Sequence, residues 1–294
     1  MRRRYGAYAA LLAIFVLLFS GCDALISNAF KEANLGQPNL EELRQELLET
    51  LESADAATLL IEDSDISTGD VDELFIETVI SDPETMDDVL VTLQKTVDNA
   101  DTPPSEAQAA QALIINIELA ASGADEILDN VNTSIGEVME QLETAEGEDV
   151  DYAALIDVLL PDTENLADII DDLGNMEEDY DALADSIEEN GNTLDQSVVA
   201  DTALSALLSV VVSNSIPAGT YSTVGEAAAD LVADIQANSD DPTYEPNIEE
   251  YFLTGPDMDA LTAEGTTLYT LFTAAGMGDL LAGLSEDGSG EGQE

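Results

Sequence analysis

From Thr96 to Glu294 the chain contains no Lys, Arg or His. Most of it must therefore fold without a side-chain cation, so its carboxylates need other partners or open solvent. Over the whole sequence 6 Lys+Arg stand against 64 Asp+Glu, for a formal net charge of −58. Repulsion among so many like charges opposes compaction unless counterions screen it. Screening tightens from about 10 Å at 0.1 M salt to about 3 Å at 1 M. The excess is spread along the chain, which points to a protein shaped by strong brine, from a halophilic or marine source. A specialised divalent-cation binder is the rival explanation. Disordered acidic chains pair high charge with low hydrophobicity. Here 45% of residues are hydrophobic, enough for a packed core. Nucleic acids and anionic lipid surfaces are poor electrostatic partners, because both need positive charge on the protein.

Three of the six cations, Arg2, Arg3 and Arg4, precede an apolar run from Ala7 to Phe19, the small residues Ser20 and Gly21, and Cys22, the sole cysteine. A basic start, a short apolar stretch and small residues before a cut form an export signal. With Cys directly after it, Leu18-Phe19-Ser20-Gly21-Cys22 resembles the lipobox of bacterial lipoproteins. The resemblance covers residues 1–22. It implies that 1–21 is a signal peptide and that Cys22 is acylated as the first mature residue. Cleavage would leave Lys31, Arg44 and Lys95 against all 64 acidic residues. More than one acyl chain is enough for stable anchoring. Location in the cell envelope follows, with the choice of inner or outer membrane, and of face, left open.

Residues 22–37 read as a lipidated tether and 38–284 as an all-helical domain with a possible sub-boundary at 101–105. The tail 285–294 reads as low-complexity and disordered. Leu40, Leu43, Leu47, Leu48 and Leu51 recur at helical spacing. Ser81-Asp82-Pro83-Glu84 is a helix start, with a capping residue before Pro at the first helical position. The helix it opens carries Met86, Val89, Leu90, Leu93 and Val97 on one face. Asp101-Thr102-Pro103-Pro104-Ser105 looks like a linker. Further helices are expected from Ala109 to a break at Gly123, over Ile127–Leu142, Ala153–Leu160 and Leu166–Leu173, and from Glu177 to a stop at Asn190-Gly191. Val198–Ile216 is the most apolar stretch after the signal, shorter than a membrane span and broken by Asp201, and reads as the central helix of the C-terminal half. Val224–Ala237 and short closing helices follow.

No segment reads as a strand. About a dozen helices joined by short loops suggest an all-α array or irregular bundle, with a degenerate helical-hairpin solenoid as the alternative. Asp179-Tyr180 followed by Ala182 weakly resembles a fragment of the tetratricopeptide repeat, but the pattern does not recur at a fixed period.

Once the signal is removed, no His and no free Cys are left for Ser-His-Asp, Cys-His, His-zinc or thiolate-metal chemistry. Lys31 and Lys95 fit no phosphate-binding loop. A carboxylate pair of the glycosidase kind is the acid–base class that survives. Such sites use aromatic platforms, and this chain has no Trp and only 5% aromatics. The reading is therefore of a protein that is not an enzyme and has no cofactor.

Asp63, Asp65, Ser67, Asp70 and Asp72 have oxygen-ligand spacing that suits Ca²⁺, although Thr68 and Leu74 stand where an EF-hand needs Gly and Glu. The alternative is a loop in which Asp70 caps the next helix and Glu73 completes the box. Leu204, Leu207, Leu208 and Val211 form a core stripe or, alternatively, a groove for a partner helix or lipid. The expected function is a lipid-anchored binding scaffold or accessory subunit of an envelope assembly. Its partners are the membrane, through Cys22, and an envelope protein. A small-molecule or lipid carrier serving an envelope transporter, and a divalent-cation-binding envelope protein, are the two alternatives.

Overall fold

The computed structural model describes residues 40–69, 71–125, 165–238, 244, 246–254 and 256–281. Segments 1–21 and 22–37 with Cys22, the expected helices over Ile127–Leu142 and Ala153–Leu160, Asp70 and the tail 285–294 lie outside them.

Five helices make the N-terminal part: α1 (Leu40–Leu51), α2 (Ala56–Asp63), α3 (Glu73–Ile80), α4 (Pro83–Val97) and α5 (Pro104–Ser122). The start of α4 is built as its sequence requires. Pro83 sits in the first turn, and Asp82 accepts a hydrogen bond from the Thr85 backbone N–H at 3.0 Å. Arg44 of α1 reaches the same carboxylate, Nη2 to Oδ2 at 2.8 Å. Val89 and Leu93 are fully buried, with Met86, Leu90 and Val97 packed against the same core. On α1 the stripe divides. Leu47 is buried, whereas Leu48, about 100° further round the helix, is 41% exposed. The expected linker at 101–105 is a turn: Pro104 already opens α5, which packs along α4, and one apolar cluster runs through both helices. Gly123, with φ +79°, ends α5 in the left-handed conformation that a C-terminal cap favours.

The C-terminal part contains α6 (Leu166–Asn175), α7 (Glu177–Asn190), α8 (Gln196–Ser213), α9 (Val224–Ala237), α10 (Met258–Leu261) and α11 (Thr267–Ala274). Helix α8 is its axis. Thirteen of its residues are buried, including Leu204, Leu207, Leu208 and Val211, so that stripe belongs to the core. By length and composition alone α8 passes as a membrane-spanning helix, but most of it is covered by the surrounding chain. Its buried hydroxyls are largely served from within: Thr202 Oγ1 donates to the Val198 carbonyl at 2.7 Å and Ser205 Oγ to that of Thr202 at 3.0 Å. Such back-bonding makes Ser and Thr tolerable inside an apolar helix.

The protein is an all-α array. Of the two arrangements the sequence allowed, the long-range contacts follow the irregular bundle. In a solenoid each unit touches only its neighbours along the chain. Here α7 lies against both α5 and α11, and α8 against both α6 and α11. Gln108 of α5, fully buried, stitches the two parts together. Its Nε2 donates to the Ser186 and Gly191 carbonyls, at 3.2 and 3.0 Å, and its Oε1 accepts from the Thr193 N–H and hydroxyl at 3.0 and 2.6 Å.

Helix α9 crosses α6 so closely that a Cβ on Gly225 would lie 2.0 Å from the Ala167 carbonyl oxygen. The Gly225 N–H donates to Asp171 Oδ1 at 2.8 Å. Beyond this crossing the expectation of no strands fails. β1 (Ile216–Pro217) pairs antiparallel with β2 (Phe252–Thr254), with an irregularity in register. Strands of two and three residues are too short to show alternation, so no periodicity could reveal them. Ala227, Tyr251 and Phe252 form a small second core there, separate from the main one.

Candidate functional site

With few cations to hand, the carboxylates are bound largely by neutral donors. Thr58 donates to Glu106 at 2.8 Å, Gln94 to Asp98 at 2.9 Å, and Thr267 to Asp181. The Ser197 N–H and hydroxyl both donate to Asp195, at 3.0 and 2.7 Å, and hold its carboxyl below the usual range. Two further clusters go beyond simple satisfaction.

The first lies between α5 and α7. Gln111, buried, donates from Nε2 to Asp179 Oδ1 at 3.1 Å. Glu118, two turns further along α5, also meets Asp179. Burial, then the Asp179 charge and a hydrogen bond to it, push Glu118 up to about 7. A second carboxylate beside it in a partly dry site disfavours ionisation of Glu118, which therefore keeps its proton toward neutral pH. The neighbouring Tyr180 hydroxyl is buried without a hydrogen-bond partner, and burial raises its pKa. Ser205, close enough to moderate that shift, already donates to Thr202.

The second cluster sits on the outer side of α9. The hydroxyls of Tyr244 and Tyr251 and the amide of Asn238 hold Asp234 below the usual carboxylate range. Asn238 Nδ2 lies 3.0 Å from Asp234 Oδ1. The bond to Asp234 pushes Tyr244 up to about 12. Tyr221 stacks on Tyr251 with ring centroids 6.0 Å apart. Beside these rings the strand pair exposes apolar side chains, Ile216 at 52% and Leu253 at 59%.

The residues picked out for a cation are placed differently. Asp63, Asp65, Ser67 and Asp72 are all exposed, and Asp70 lies outside the described residues. Ile66, fully buried, pins the loop, while Asp65 takes a positive φ of 56°. Asp72, not Asp70, caps the next helix: its Oδ1 accepts from the Leu74 and Phe75 N–H groups at 2.8 and 3.3 Å. Glu73 is then the first helical residue and completes no capping box. Burial, with Glu62, Glu46 and Asp65 adding, raises Asp63. Among the described residues no three Asp or Glu side chains gather as a ligand set.

Sequence reasoning did not read Glu118, Asp179, Asp234 or the tyrosines as site residues. Two signals were there to be read. Glu118 is the sole charged residue in the run Ala109–Ala121, and Tyr221, Tyr244 and Tyr251 bunch within one stretch of an aromatic-poor chain.

Comparison with protein-family models, with curated proteins and with solved structures returned no match.

Proposed function

We propose that this chain is an exported, lipid-anchored helical protein that acts by binding, as a scaffold or accessory subunit of an envelope assembly in a salt-adapted bacterium. In this reading Cys22 supplies location, residues 23–37 supply reach, and the helical body supplies the binding surface. The observation that carries the binding role is the strand pair beside the tyrosine cluster. Among the described large apolar side chains Val91, Ile216 and Leu253 are more than half exposed, and strand pairing brings the last two together in the unit that carries the stacked rings. Exposed apolar groups set among aromatic and polar ones are the composition of a contact surface.

Crosslinking in native envelopes followed by affinity recovery tests the role. A defined protein partner is expected; a bound lipid with no partner protein would overturn it in favour of a carrier. Labelling with radioactive palmitate tests the anchor. Cys22→Ala is expected to abolish the label, and a label that persists ends that part of the reading.

A further inference from the structure

We propose that β2 is a pairing edge that takes up an extended, Lys- or Arg-bearing segment of a partner protein as a third strand. This rests on the binding role above and names its partner's chemistry. A two-stranded sheet has an open edge on each strand, and such edges are templates for another chain. The two edges differ. Pro217 removes a backbone N–H from β1, which makes that edge a poor donor. β2 is Phe252-Leu253-Thr254, with no proline and no charge.

Proteins usually guard an exposed edge with Lys, other charges, proline or a bulge. In a chain with 24% charged residues this edge carries none of these, and among the described residues β2 pairs only with β1. Three residues support few ladder bonds, so side-chain contacts must add to them. Leu253, 59% exposed, provides that apolar contact on a unit whose small core holds Tyr251 and Phe252.

Charge complementarity selects the occupant. Between Ile216 and Thr254 the sequence holds Glu226, Asp230, Asp234, Asp240, Asp241, Glu245, Glu249 and Glu250, with no Lys or Arg. A second copy would bring only carboxylates of its own, among them the described Glu226, Asp230, Asp234, Glu249 and Glu250, and be repelled. A segment alternating apolar and basic residues places its apolar side chains on Leu253 and its cations among the carboxylates.

The probe is a peptide of about ten residues alternating Val and Lys. It is added to the full-length chain in about 1 M NaCl, where diffuse attraction is screened. Backbone amide shifts are expected at Phe252–Thr254, with affinity falling about tenfold or more in Leu253→Glu. Affinity should be unchanged in Val91→Glu, a control at an exposed apolar position on α4. A peptide with Pro at alternate positions, unable to complete a ladder, is expected not to bind. No binding, or binding indifferent to both Leu253 and the prolines, overturns the proposal. Recovery from native envelopes with Leu253→Glu separates the two readings. A partner retained by that variant sinks the strand-pairing edge and leaves the binding role standing, whereas no protein partner for either chain sinks the binding role itself.

Discussion

The bundle around α8 and the small unit built on α9, β1 and β2 solve one problem in two ways. Both must fold in a stretch without cations. The bundle does it by exclusion: α8 turns thirteen residues inward, and its buried hydroxyls bond largely to its own backbone. The outer unit does it by substitution, with phenols and amides occupying the carboxylate positions that Lys or Arg would otherwise fill. Exclusion gives burial and rigidity. Substitution leaves rings and apolar side chains near the surface, where they are available for contact.

The largest test of this contrast is Leu207→Ala, at the fully buried centre of α8. It should cost about 2–5 kcal/mol of global stability in denaturant unfolding, as large-to-small core changes do. If it is as mild as a surface change, α8 is not the axis of the bundle. Gly225→Ala should cost about 1–3 kcal/mol, because its methyl would collide with the Ala167 carbonyl where the two regions meet. Hydrogen exchange is expected to rise first in α9 and the strands. Equal loosening of α8 would mean that the two regions unfold as one.

The regions should also answer pH with opposite signs. Glu118 has a folded pKa of about 7, above its ordinary 4.5. The folded bundle therefore binds more protons than the unfolded chain between these values. The contribution of Glu118 to stability is full below 4.5 and is lost as pH rises through about 7. Glu118→Gln should flatten that slope and gain about 1–2 kcal/mol at pH 8, a figure reduced from the full shift because the side chain is partly exposed. A melting-temperature series over pH reads this directly, and an unchanged slope removes Glu118 from the account. Asp234 is held below the ordinary range, so its contribution is present above that range and is lost as pH falls through its lowered value. In Tyr244→Phe the Asp234 carboxyl should titrate closer to its usual pKa, as followed by NMR. The smallest stability effect belongs to Leu253→Glu, within about 0.5 kcal/mol. A larger loss would mean that Leu253 supports the fold and does not face a partner.

Much of the fold was legible because its signals are local. Asp82 before Pro83, Gly123 and Gly191 mark helix ends, since capping depends on neighbours within a turn. The apolar run after Val198 became a buried helix, and Val224–Ala237 took the bounds expected of it. The candidate site was not legible on the same terms. Asp72 displaced Asp70 as the cap because only the backbone fixes where α3 begins. That Leu47 meets the core and Leu48 faces outward was likewise not legible, because both leucines fit the same helical stripe.

By itself the sequence determined a mostly helical fold, most of it without cations, with helix limits set by caps, prolines and glycines. Those are properties of composition and of residues a few positions apart. Tertiary structure alone decided that Gln111 reaches Asp179 across 68 positions, that Gly225 lies under Asp171, and that Ile216 pairs with Thr254. Such meetings depend on how whole helices pack, and periodicity reports which face is apolar but not which helix covers it.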